Sequence, residues 1–174
     1  MREDKFNEIK GFLKAFKCLN RYCNHGCSFY FDSIDYDGDL KSTLLCYLRQ
    51  QYEFLKNNMV NYNHEFKKIF NFQFKPVSNL EDILSKGLEY YFLGVFSNEY
   101  TEKYSYVSER RKYCTTSFIK MVKDFFTDDP VEVWASGTEN YASSLTEYYC
   151  ECSGMDFIFL CNNKLYILHL AIND

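Results

Sequence analysis

The sequence predicts an α+β domain in which about five helices, spread over roughly residues 1–127, pack on a C-terminal antiparallel sheet of three to four strands at about 131–172. Three observations carry this. Apolar residues recur at helical spacing as far as Phe126. The period then changes after Asp128-Asp129-Pro130, and the segments that follow alternate or are apolar almost throughout. Two prolines, seven glycines and no Ser- or Gly-rich run leave no linker, so residues 1–174 form one domain.

Phe6, Ile9, Phe12, Leu13, Phe16 and Leu19, with Lys and Arg between them, predict an amphipathic helix over 3–22. Gly26 suits its stop signal. Ser28–Tyr36 is a possible strand, with Phe29 and Phe31 alternating against polar neighbours. Asp37-Gly38 turns the chain, and Asp39 is placed to cap a helix striped by Leu40, Leu44, Leu48, Tyr52, Leu55 and Met59. Residues 62–70 follow as a short helix on Phe66, Ile69 and Phe70, and the alternation of Phe70, Phe72 and Phe74 predicts an extended exit before Pro76. Ser78-Asn-Leu-Glu81 has the form of a capping box. It opens a helix with Leu80, Ile83, Leu84, Leu88, Tyr91 and Val95 on one face. A further helix from about Ser108 to Phe126 presents Cys114, Phe118, Met121, Val122 and Phe125.

In the tail, Val131, Val133 and Ala135 of VEVWAS share one side. DFIFLC and LYILHLAI are apolar nearly throughout, as strands covered on both faces or docked at an interface are. Asn162-Asn163 between them fits a two-residue hairpin turn, because Asn tolerates positive φ. Ser153-Gly154 punctuates the preceding connection, and Cys150 and Cys152, two apart, would share one face of a strand there. The expected arrangement is a meander with the helices on one face.

Composition narrows the function classes. The charged start MREDKFNEIK lacks a secretory core, and no apolar run approaches the ~18 residues of a membrane helix. A cytoplasmic protein with eight reduced cysteines is the resulting expectation. Aromatics reach 20%, with 17 Phe and 16 Tyr; a bulky core accounts for many, and surface tyrosines suit a contact face. From Asp124 onward nine acidic residues face a single basic one, Lys164, so the tail carries −8 and residues 1–123 carry +4 within a total of −4. That asymmetry argues against nucleic acid or anionic membrane at the tail and favours a basic partner there.

Catalytic and metal motifs do not survive inspection. Cys18, Cys23, His25 and Cys27 offer four soft ligands, but C-x4-C-x-H-x-C is no zinc knuckle, and buried thiols with a loop histidine explain it more simply. Asp32, Asp35, Asp37 and Asp39 fail the EF-hand pattern, since Leu44 falls at its twelfth position; a turn and helix cap explain them. His64-Glu65 lacks a second histidine, with Lys68 in its place. Glu109-Arg110-Arg111-Lys112 beside Tyr104, Tyr106 and Tyr113 suits a solvated helix face better than a nucleic-acid site. His169, alone in its apolar strand, fits a satisfied core or edge position, although Cys150 or Cys152 could face it. No catalytic residue, metal site or cofactor follows, and an enzyme is not the expectation.

The acidic, aromatic ending therefore supplies the expected partner-binding residues: Asp128, Asp129, Trp134, Glu139, Tyr141, Glu147, Tyr148 and Glu151. The closing stretch TEYYCECSGMDFIFLCNNKLYILHLAIND, with the small size and absence of motifs, resembles bacterial immunity proteins of the contact-dependent growth inhibition or polymorphic toxin type. The resemblance lies in texture, and no functional residue carries over. It implies a cytoplasmic protein that binds a cognate toxin, a basic nuclease domain in the first instance, and blocks it. The alternatives are a small zinc- or thiol-dependent protein using Cys18, Cys23, His25 and Cys27, or a viral or phage host-interaction adaptor.

Overall fold

A computed structural model describes residues 2–20, 26–58, 66, 72–92 and 105–173. Among them the order is α1 (Arg2–Asn20), β1 (Gly26–Asp35), α2 (Leu40–Asn58), β2 (Lys75–Pro76), α3 (Leu80–Tyr91), α4 (Ser105–Phe126), β3 (Glu132–Ser136), α5 (Ser144–Tyr149), β4 (Ser153–Cys161) and β5 (Lys164–Asn173). The expected α+β class with an antiparallel sheet is present.

The sheet has five strands rather than three or four, in the order β1-β5-β4-β3-β2. The expected C-terminal meander is its β3-β4-β5 part, and β1 adds on beyond β5 in an unbroken register from Gly26↔Asn173 to Asp35↔Lys164. Asn162 and Asn163 turn β4 into β5 with φ of 51° and 56°, the left-handed pair that a two-residue hairpin requires.

Strand periodicity divides the interior in two. One face carries Phe29, Phe31, Phe157, Phe159, Leu168 and Leu170, covered by α1, α3 and α4 through Ile9, Leu13, Leu84, Leu88, Phe118 and Val122. The other carries Ile158, Leu165 and Ile167, under Leu44, Tyr47 and Leu48 of α2 and Leu145 of α5. The helices therefore lie on both faces and not on one. This explains why β4 and β5 lack alternation: each side of the strand is buried, so neither selects for polar residues.

Several local expectations shift. Residues 144–149 are helical and not part of a strand, because Ser143 accepts the Thr146 amide at 3.1 Å and caps them; Cys150 ends that helix in the left-handed region, φ 60°. Cys150 and Cys152 thus share no strand. Asn79, not Ser78, caps α3, accepting the Asp82 amide at 3.3 Å. Asp39 does cap α2, taking the Ser42 amide at 2.7 Å. Leu19, expected on the buried stripe, is exposed. Gly26 opens β1, and α4 starts at Ser105. The helix expected over 62–70 lies outside the described residues apart from Phe66, as do Met59 and Val95.

Candidate functional site

Antiparallel pairing places directly opposite residues on the same face of a sheet, and one such row runs across four strands: Tyr30, His169, Asp156 and Ser136. His169 and Asp156 are fully buried, and their partners explain how charge is tolerated there. The imidazole Nδ1 lies 2.6 Å from Asp156 Oδ1 and Nε2 lies 2.8 Å from Glu151 Oε2. The second oxygen of Asp156 accepts the Leu145 amide at 2.8 Å, in the first turn of α5. Ser136 Oγ accepts the Ser144 amide at 2.8 Å, and Ser144 Oγ in turn accepts the Gln73 amide at 2.9 Å. The row thus fixes α5 on the sheet through the backbone amides that a helix start leaves unpaired.

Burial alone would lower the His169 pKa, but the hydrogen bonds and charge of Asp156, and then of Glu151, outweigh it and lift the pKa to about 9. At neutral pH the ring is an imidazolium donating from both nitrogens. It has no lone pair left with which to take a proton, and cannot act as a general base in this arrangement.

Glu151 also forms part of the wall of an open cavity of about 340 Å³ between α2 and β1, with Tyr30, Tyr47, Tyr149 and Asp32 around it. The Tyr30 ring lies 4.8 Å from the His169 ring and that of Tyr149 5.9 Å from it. Tyr47 donates to Asp32 Oδ2 at 3.3 Å. The Tyr30 hydroxyl is enclosed near those of Tyr47 and Tyr149 but makes no hydrogen bond of ordinary geometry. Desolvation raises all three phenol pKa values, so these groups stay neutral. The wall is suited to hydrogen-bonding and aromatic contact; no nucleophile is paired with a base in it.

Carboxylates left in water gather elsewhere, around the β4–β5 turn. The Tyr36 amide bonds to Asn163 O at 2.9 Å and Asn162 Nδ2 donates to Asp129 Oδ1 at 2.7 Å, which draws the segments around Asp35 and Asp129 to the same turn. Asp35, Asp37, Asp39, Asp128 and Glu132 are exposed there. Asp37 is held at a pKa of about 2 by hydrogen bonds from Ser42, Thr43 and the Asp39 amide. Two cations temper the cluster: Lys164 lies 3.2 Å from Asp35, and Arg2 lies 2.5 Å from Asp129 while covering the Phe125 ring at 5.0 Å.

The eight expected contact residues are not brought together. Asp128 and Asp129 belong to the acidic end. Glu139, paired with Lys75 at 3.2 Å, and Tyr141, stacked on Tyr90 at 4.4 Å, lie beyond the opposite end of β3. Trp134 is half-buried against the α2-side core, and Tyr148 is half-buried beside Phe66 at 6.4 Å. Glu151, expected at the surface, is turned inward with its side chain only 8% exposed, because His169 is its ion partner. Glu147 is on α5, and its side chain lies outside the described residues. Of the cysteine cluster, Cys18 is exposed and Cys27 is buried, while Cys23 and His25 lie outside the described residues. No group of metal-ligating side chains occurs among the described residues, and no described helix is long and apolar enough to cross a membrane. Arg110 and Lys112 are exposed on α4, with Arg111 half-buried between them.

Sequence reasoning missed Asp156 as the partner of His169, although a signal was there. Asp156 is the one acidic residue of β4 and His169 the one histidine of β5, and they stand equally far from the Asn162-Asn163 turn, which makes them direct neighbours in a hairpin. Comparison with family models, curated proteins and solved structures finds no match for this chain.

Proposed function

We propose that this chain is an inhibitory binding protein that neutralises a basic protein partner, a nuclease-type toxin domain being the class its charge fits, and that it acts by covering the partner rather than by chemistry of its own. The observation that carries the reading is the division of its carboxylates. Those in its best-organised acid–base group, Asp156 and Glu151, are saturated by His169, whereas Asp35, Asp128 and Glu132 project into water from three segments at one end of the sheet. Exposed charge of one sign accelerates encounter with an oppositely charged surface and costs little to keep solvated.

The test uses the full chain, immobilised in lysate of its source cells at low salt, beside a variant with Asp35, Asp128 and Glu132 changed to Lys. The expected result is one basic protein in near-equal amount, absent from the variant, whose nuclease or toxic activity the wild-type chain abolishes. A stoichiometric partner that binds the variant equally well, or whose activity survives saturation with the chain, would refute the reading.

A further inference from the structure

The two edges of the sheet are built differently. At one, β2 has two residues and both are strand blockers, Lys75 and Pro76. Short edge strands, lysine and proline are the usual means of preventing a sheet from recruiting another strand. At the other, β1 has ten residues, no lysine, no proline and no bulge, and among the described residues no strand lies on its outer side. An exposed ion pair, Lys10 Nζ to Asp32 Oδ1 at 3.1 Å, crosses that edge from α1. Exposed pairs of this kind are held by at most about 1 kcal/mol.

Both faces of this edge open into cavities. On the α1 side a space of about 290 Å³ is lined by Lys10, Lys14 and Lys17 above Phe29 and Phe31. Toward α2 lies the 340 Å³ cavity walled by Tyr30, Tyr47 and Tyr149 with Asp32 and Glu151, which meets the first at Lys17, Phe29 and Tyr30. A strand laid beside β1 would have its backbone paired and its side chains directed alternately into these two spaces. The lysines recur at one-turn spacing along α1, so they face successive side chains on one side of such a strand.

We infer that the outer edge of β1 is a docking site for an extended segment of a partner protein that carries carboxylates at alternate positions, directed at Lys10, Lys14 and Lys17, with its intervening side chains against the tyrosine wall. The stretch of β1 concerned, residues 28–33, stops short of Asp35 and the acidic end, so either proposal can fail without the other.

The probe is a capped ten-residue peptide alternating Glu and Thr, followed by fluorescence anisotropy with the full chain and by hydrogen exchange at the amides of residues 28–33. Saturable binding with slowed exchange of β1 amides is expected, weakened about tenfold in a Lys10→Gln, Lys14→Gln, Lys17→Gln variant. Lys10 and Lys14 are exposed and Lys17 is half-buried, and none belongs to the core, so the variant keeps its core. Equal binding by a Lys–Thr peptide would overturn the charge assignment. Equal binding by an N-methylated Glu–Thr peptide, which cannot pair its backbone, would overturn strand addition, as would failure of the Glu–Thr peptide to bind. Light scattering that shows a dimer with β1 amides already protected would make a second copy the occupant and overturn the assignment to a partner.

Discussion

The buried imidazolium makes this protein less stable in mild alkali, and the size of the effect follows from its surroundings. His169 goes from a pKa near 6.5 in the unfolded chain to about 9 when folded. The folded state therefore binds more protons between those values, so stability is complete below pH 6.5 and is lost as pH rises through 9. A difference of roughly 2.5 units at about 1.4 kcal/mol each amounts to about 3 kcal/mol, a sizeable part of the 5–15 kcal/mol typical of a domain. The perturbation that isolates the cause is Glu151→Gln. It retains an oxygen to accept from Nε2 and removes one of the two charges, so the ring should titrate lower and the stability curve should bend at a lower pH. Urea unfolding at half-unit steps from pH 6 to 9.5 gives the stability. Imidazole shifts by NMR give the His169 titration directly and separate it from thiols that ionise in the same range. A ring titrating at or below 6.5, or a flat stability curve between pH 6.5 and 9, would refute the reasoning.

Two further outcomes follow from close packing in the same layer. Gly154 of β4 lies under α5, where an added Cβ would collide with Thr146 Oγ1 and press on Ala171 Cβ at 3.0 Å; Gly154→Ala should cost about 1–3 kcal/mol in urea unfolding, and an unchanged midpoint would show that α5 does not pack there as described. Tyr30→Phe removes an enclosed hydroxyl that makes no ordinary hydrogen bond and keeps the ring on His169, so it should leave stability unchanged or raise it by about 1 kcal/mol; a loss above 1 kcal/mol would reveal a bond to that hydroxyl.

The parts of this fold that local chemistry determines were legible in the sequence. The Asn162-Asn163 turn, the Asp39 cap and the amphipathic stripes of α1 to α4 each depend on residues within a few positions of one another, where turn and helix geometry act directly. Long-range pairing was not legible in the same way. Nothing within Ser28–Tyr36 specifies that β1 joins β5 rather than another strand, since alternating aromatics suit any half-buried edge. The strand expected around Cys150 and Cys152 gives way to a helix over 144–149, which Ser143 and the distant Asp156 together hold. Glu151 shows the same limit at the candidate site. A charged residue in a polar stretch reads as a surface contact until the histidine that neutralises it is placed opposite, and that histidine lies on another strand.

The position of β5 also bears on how the chain is made. Its neighbours in the sheet are β4, joined to it by a two-residue turn, and β1, whose Gly26 pairs with Asn173 from the far end of the sequence. Well over a hundred residues are synthesised between β1 and the strand that completes it, which at ordinary elongation rates takes on the order of ten seconds. Throughout that interval Phe29 and Phe31 lack their β5 partners, Leu170 and Leu168. Contacts between such distant segments also close slowly because of the loop entropy they must overcome. The nascent N-terminal third therefore carries these apolar side chains without a cross-strand partner until β5 has been made.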